Sequence, residues 1–253
     1  MASRSGAGYQ ALLLAVVLLW SHGAACAPDQ APLTIITEEW PPYNYAEDGQ
    51  LKGVSVEVVR TVLKELGRSD PIQLYPSQRA KKMQDALPRT IFFSLFRTKE
   101  REPLYKWIGP IGFDAIYFYK RKGDPIEINS LDDARRVPRI ACRQAGLVHD
   151  ILEKEGFTNL DTNAHSSQQI YFKLLKGRSN LAISDSPLGV KYFLQKEGLP
   201  PDSLTQTKLM VVSSDLYIAG SLDLPDSEVD QWRQALLRLR DNGTIEKIYR
   251  EYH

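Results

Sequence analysis

The sequence predicts an α/β protein of two lobes, and three features predict it. Short apolar strands alternate with amphipathic helices from Leu33 onward, the pattern of α/β folds. The alternation halts at the polar run Lys120-Arg121-Lys122-Gly123-Asp124-Pro125 and restarts near Ser130. A late strand, Leu216 to Ala219, then leads back towards the first lobe ahead of two closing helices.

The elements follow in order. Leu33 to Thr37 reads as a strand, and Val54 to Leu66 as a helix whose apolar stripe (Val54, Val58, Val62, Leu66) ends at Gly67. Ile72 to Tyr75 is the second strand, Arg79 to Leu87 a helix, Thr90 to Leu95 the third strand, and Ile116 to Tyr119 a fourth. After the break, Ser130-Leu131-Asp132-Asp133 opens a helix, with Ser130 as cap and Asp133 three residues on. Strands are expected at Arg139 to Cys142 and Leu181 to Ser184, and helices at Leu147 to Glu155, Ser167 to Lys176 and Leu188 to Lys196. Helices at Glu228 to Arg240 and Thr244 to Tyr252, split by Asn242-Gly243, complete the chain.

Composition excludes several classes. With 43% hydrophobic and 25% charged residues, the 253-residue chain has the make-up of a folded soluble protein. Its 32 basic and 31 acidic residues leave a net charge of +1, no footprint for nucleic acid. Two cysteines are too few for a disulfide framework, and Cys142 reads as a buried, inert thiol on a strand. The four histidines are scattered without metal-ligand spacing, so neither a metal nor a cofactor is expected. Nothing calls for an oligomer, and a monomer is the expectation.

Residues 1–27 read as a signal peptide: Arg4, an apolar run from Ala11 to Trp20, then Gly23-Ala24-Ala25-Cys26. The run is shorter than the ~20 apolar residues of a spanning helix. Cys26 leaves two outcomes open, a lipid anchor or cleavage after Ala25. No later apolar run approaches spanning length.

In open α/β sheets ligands sit beyond the carboxyl ends of strands. The first strand is followed by Glu38-Glu39-Trp40-Pro41-Pro42-Tyr43-Asn44-Tyr45, where rings could cover a ligand or pack beneath the loop. After the third strand, Thr98 is a candidate N-cap, and Arg101 would project from the helical turn it starts. Its guanidinium suits a carboxylate; alternatively it pairs with Glu100 or Glu102 at the surface. Asp185 ends a late strand, where it suits an ammonium group or caps the helix after Pro187.

These segments resemble the periplasmic solute-binding proteins of polar amino-acid ABC transporters (bacterial extracellular solute-binding proteins, family 3). The likeness spans nearly all of residues 33–252. It rests on Trp40-Pro41-Pro42-Tyr43, Gly49-Gln50-Leu51-Lys52-Gly53, Arg97-Thr98-Lys99-Glu100-Arg101, Ser130-Leu131-Asp132-Asp133, the stretch from Gly177 to Asp185, and Asp241-Asn242-Gly243-Thr244. It implies a type II periplasmic-binding-protein fold, two α/β lobes joined by two crossover strands. Lobe 1 would hold residues 28–118 and 216–253, and lobe 2 residues 119–215. It further implies that Arg101 binds a ligand α-carboxylate, Asp185 the α-ammonium, and Trp40 stacks on the ligand with Tyr43 nearby. Ser94 matches a ligand-touching position.

The chain also departs from the family pattern. Phe96 stands directly before Arg97, where many members keep a small hydroxyl residue two places ahead of Arg97-Thr98. Gln144-Ala145-Gly146-Leu147 replaces a Gly-Thr-Thr helix start, leaving backbone N–H groups at Gly146 but no threonine hydroxyl. Ser77-Gln78-Arg79 replaces an aromatic and adds Arg79 as a cationic candidate. The expected function is capture of a small polar ligand, an amino acid or a derivative, for an inner-membrane permease, in the periplasm and without catalysis. The alternatives are a cyclohexadienyl-type dehydratase on the same fold and a ligand-sensing module for a membrane receptor.

Overall fold

The computed structural model describes residues 31–252, so the leader read at residues 1–27, with Cys26, lies outside the described residues. The chain begins with β1 (Thr34–Glu38), an unforeseen hairpin of β2 (Tyr45–Glu47) and β3 (Gln50–Lys52), then α1 (Val54–Glu65). β4 (Ile72–Tyr75), α2 (Ser77–Ala86) and β5 (Thr90–Phe96) follow, and a 3-10 turn at Glu102–Leu104 leads into β6 (Lys106–Arg121). Next come α3 (Leu131–Arg136), β7 (Ile140–Cys142), α4 (Leu147–Lys154), β8 (Leu160–Asp161), α5 (Ser167–Leu175), β9 (Leu181–Ile183) and α6 (Pro187–Lys196). β10 (Leu204–Gly220), α7 (Asp226–Asp241) and α8 (Thr244–Tyr252) close it.

Eight strands form one sheet in the order β4-β1-β5-β10-β6-β9-β7-β8. Its two ends are parallel ladders, β4-β1-β5 and β9-β7-β8, covered by helices as parallel strands require. Between them β6 and β10 run antiparallel to each other and pass through both halves. Ile218 to Gly220 pair with Trp107 and its neighbours at one end, and Leu204 to Gln206 with Tyr119 to Arg121 at the other. The end helices return to the first half, where α7 buries Val229, Trp232, Leu236 and Leu239 along one stripe. A separate apolar cluster in the second half gathers Ile170, Tyr171, Leu174 and Phe193.

The sequence expected only Ile116 to Tyr119 and Leu216 to Ala219 of these long strands, and both are corrected. Gly109-Pro110 and Gly112 in β6, and Thr205 to Lys208 in β10, interrupt the apolar run, but pairing with each other carries the strands through. The capping box at Ser130 and Asp133 is present. Cys142 is fully buried, and burial pushes its thiol up to about 12.

The loop after β1 is held by α1. The N–H groups of Val54 and Ser55 donate to the carbonyls of Pro42 and Tyr43 at 3.0 Å, satisfying donors that a helix start leaves free. Gly53 makes this approach possible: its φ is 129°, and a Cβ there would collide with the Tyr43 carbonyl. Trp40 is thereby fixed at the strand end.

Candidate ligand-binding site

The carboxyl ends of β1, β4 and β5 face those of β7 and β9 across a cavity of about 550 Å³, a usual size for a small-ligand pocket. Its walls are mainly apolar, with Trp40, Phe92, Phe96, Ile116, Leu147 and Ile183 among them. The Trp40 ring lies 5.8 Å from the Phe96 ring, and both are buried.

Arg101 enters this cavity from the loop after β5. No α-helix starts at Thr98. Arg101 instead precedes the 3-10 turn, and its own N–H donates to the Thr98 carbonyl at 3.1 Å. Pro103 and the early start of β6 leave no room for a longer helix. One Nη donates to the Phe96 carbonyl at 3.2 Å. The acids beside it in sequence are engaged elsewhere: Glu102 takes both branches of Arg97, and Glu100 lies 3.8 Å from Lys154. Among the described residues Arg101 has no ion-pair partner. Burial lowers its pKa, opposed only in part by Tyr105 and by the carboxylates of Glu38, Asp150 and Asp85.

Ser94 lines the same cavity in a left-handed conformation, φ 65°, with its hydroxyl donating to Asn44 Oδ1. Gly146, φ 110°, precedes α4 and borders the cavity with Leu147 and Val148. Gln84 of α2 is 8% exposed and lines the cavity, and its Nε2 finds no acceptor.

Asp185 lies elsewhere. It lines a neighbouring cavity of about 400 Å³ with Pro41, Gly189 and Tyr192. It does not cap α6, because Ser186 does so, accepting from the Gly189 N–H at 3.3 Å. Asp185 is 1% exposed, and neither carboxylate oxygen accepts a hydrogen bond. Its charged neighbour is Arg143, whose Nη2 stands 3.5 Å from Oδ1. Arg143 borders both cavities.

Two candidates line neither cavity. The Tyr43 ring packs 4.6 Å from that of Trp40, and its hydroxyl donates to Asp114 on β6, which removes it from the cavity wall. Arg79 is exposed, its guanidinium 4.6 Å over the Tyr75 ring, on the outward face of α2. The sequence reading missed Arg143 and Gln84. Arg143 follows β7 directly, so the rule that selected Trp40 and Asp185, polar residues just past strands, also points to it. Gln84 sits in the last turn of α2, in a polar stretch, and carries no such signal.

This architecture, two α/β halves joined by two crossing strands over a central cavity, defines a type II periplasmic-binding-protein fold. The chain belongs to the bacterial extracellular solute-binding proteins, family 3, whose family model matches residues 33–253. It is similar to a probable amino-acid-binding protein, YxeM, of Bacillus subtilis (strain 168), 23% identical over 253 residues, covering 96% of this chain and 92% of the relative. Among solved structures it is similar to a histidine kinase sensor domain with similarity to periplasmic binding proteins. That match has a TM-score of 0.77, 16% identity and coverage of 87% of this chain and 95% of the other. It is also similar to the GluR0 ligand-binding core of Nostoc punctiforme in complex with L-glutamate (TM-score 0.73, 19% identity, 87% and 99% coverage).

Proposed function

We propose that this protein captures a small carboxylate ligand of the amino-acid class, a free amino acid or a derivative, in the 550 Å³ cavity by closing two lobes around it. The observation that carries the reading is Arg101, a guanidinium in an apolar-walled cavity with no ion-pair partner among the described residues. A carboxylate there would accept two parallel N–H bonds, strengthened by exclusion of water. Trp40 and Phe96 would cover the ligand's apolar part, and Ser94 and the Gly146 backbone would border it.

Residues 28–118 and 216–253 act as lobe 1 and residues 119–215 as lobe 2, with β6 and β10 as the hinge. Ligand contacting both lobes carries differential affinity for the closed form and shifts the equilibrium towards it. The protein works after export, as a monomer, and the closed form docks on an ABC-transporter permease. Membership of an extracellular binding family supports this. A second reading, a sensor that reports ligand to a membrane receptor, is favoured by the likeness to the kinase sensor domain. A dehydratase would need a carboxyl acid in the cavity holding its substrate: Asp185 lines the other cavity, and Glu38 is the acid at the end of β1 that lines this one.

A thermal-shift screen of the purified protein against amino acids, their derivatives and small carboxylates tests the reading. A ligand at ~100 times its Kd adds roughly 2.7 kcal/mol to stability. The stabilisation should vanish in Arg101→Ala. Equal stabilisation of the variant would refute the reading.

A further inference from the structure

We propose that the ligand is a neutral amino acid with a large apolar side chain, and that Glu38, not Asp185, holds its ammonium group. The inference rests on the reading of Arg101 as the carboxylate anchor and names the ligand class within it.

Glu38 ends β1 and lines the same cavity as Arg101. Both side chains are half-buried, and among the described residues no hydrogen bond or ion pair engages the Glu38 carboxylate. Its charge acts on Arg101 although no ion pair joins them. A carboxylate and a guanidinium held apart between apolar walls leave a gap that suits a zwitterion. The other charges are matched. Arg143 stands 3.5 Å from Asp185, so the two sum to zero. Lys81, Glu100, Asp150, Lys154 and Glu155 also line the cavity, but all are exposed at its rim, where water screens them. Lys81 pairs with Asp85, Glu100 with Lys154 and Glu155 with Arg135, while Asp150 lies 3.6 Å from His149. The interior thus holds one unmatched cation and one unmatched anion, and a ligand of zero net charge balances them. A lysine or glutamate side chain would add a charge with no counter-ion.

A polar neutral side chain finds no partner either, because the uncharged polar groups of the wall are engaged. Ser77 and Ser184 accept from Arg143, and Ser94 donates to Asn44. Thr98 accepts from the Arg101 N–H, and the Tyr105 hydroxyl donates to Asp85. Gln78 is exposed. Gln84 Nε2, buried without an acceptor, is a donor that the ligand carboxylate can use with lone pairs left over from Arg101. The ligand's side chain is left with Trp40, Phe92, Phe96, Leu147 and Ile183. In a cavity of about 550 Å³ such walls favour a large apolar body, and an amide buried among them would lose its hydrogen bonds to water.

The test is calorimetric titration of the purified protein with matched pairs: leucine and asparagine, methionine and glutamine, norleucine and lysine, phenylalanine and histidine. Wherever a pair binds, its apolar member should bind at least about tenfold tighter. The probe 4-methylpentanoate, which is leucine without its ammonium group, should bind at least about tenfold more weakly than leucine. Glu38→Gln should erase that difference by weakening leucine alone. Polar members that bind as tightly as their apolar partners, or no binding of any probe, would overturn the ligand class. A leucine preference that survives in Glu38→Gln would overturn the part given to Glu38. Unchanged affinities in Arg101→Ala would instead sink the carboxylate reading beneath both.

Discussion

The Arg143 guanidinium and the Asp185 carboxylate face each other at 3.5 Å without a hydrogen bond between them. Serine hydroxyls from both halves of the cleft, not the acid, fix the guanidinium. One side chain thus neutralises a buried charge and straps the halves together. Arg143→Ala should destabilise the fold by roughly 3 kcal/mol, because it leaves Asp185 buried and unpaired. Arg143→Ala/Asp185→Ala should cost less than the single change. Urea unfolding of the wild type, of Arg143→Ala and Asp185→Ala, and of the double variant gives the cycle; a double variant as unstable as the sum of the singles would mean the two do not interact.

Gly189 controls how closely the halves meet. A Cβ at this position would lie 2.7 Å from Asp185 Cβ and 3.2 Å from the Pro41 carbonyl, which belongs to the loop after β1. Gly189→Ala should wedge the cleft open, weakening ligand binding about tenfold while leaving the ligand-free protein folded. Small-angle scattering should show a larger radius for the variant in the presence of ligand. An unchanged affinity and radius would show that the halves do not need this contact.

Asp114 makes stability depend on pH. Burial raises its carboxyl pKa above the ordinary 3.8, only partly opposed by hydrogen bonds from Tyr43 and Ser186. The native state therefore holds this proton more tightly than the unfolded chain. The stabilisation it brings is complete below the unfolded value and is lost as pH rises through the native one. Asp114→Asn, which keeps an acceptor for Tyr43, should gain stability relative to wild type across that window. Melting temperatures taken between about pH 3 and pH 8 should show the difference growing with pH; a constant difference would remove Asp114 as the source.

Cys142 should be chemically silent in the native protein. Its thiol is fully buried, donates to the Arg143 carbonyl at 3.3 Å, and is pushed up to about 12. In a Cys26→Ser background, a thiol reagent should label nothing until denaturant is added. Prompt labelling in native buffer would contradict the packing of β7.

Much of the fold was legible because its signals are local. The stripe of α1, the apolar runs of β1, β4 and β5, and the Ser130 capping box each depend on residues within a turn or two. β6 and β10 were shortened in the reading because their pairing is non-local: each supplies the partner that lets the other tolerate Pro110 or Thr205 to Lys208. For the site, sequence named Arg101 and Asp185 but left each with a second role. The structure removes those roles, since Arg97 claims Glu102 and Ser186 caps α6. It also separates the two into neighbouring cavities, which no spacing along the chain expresses. Tyr43 looked equivalent to Trp40 because both follow β1, and only the register of the loop against α1 turns its hydroxyl towards Asp114.

The most direct test of carboxylate capture by Arg101 is a crystal structure of the protein with the tightest ligand from the screen. The account predicts the ligand carboxylate on the Arg101 guanidinium with two N···O distances of about 2.7–2.9 Å, its body against Trp40 and Phe96, and Arg143 still on Asp185. A carboxylate bound away from Arg101, or a ligand seated in the cavity of Asp185 with Arg143 displaced, would contradict it.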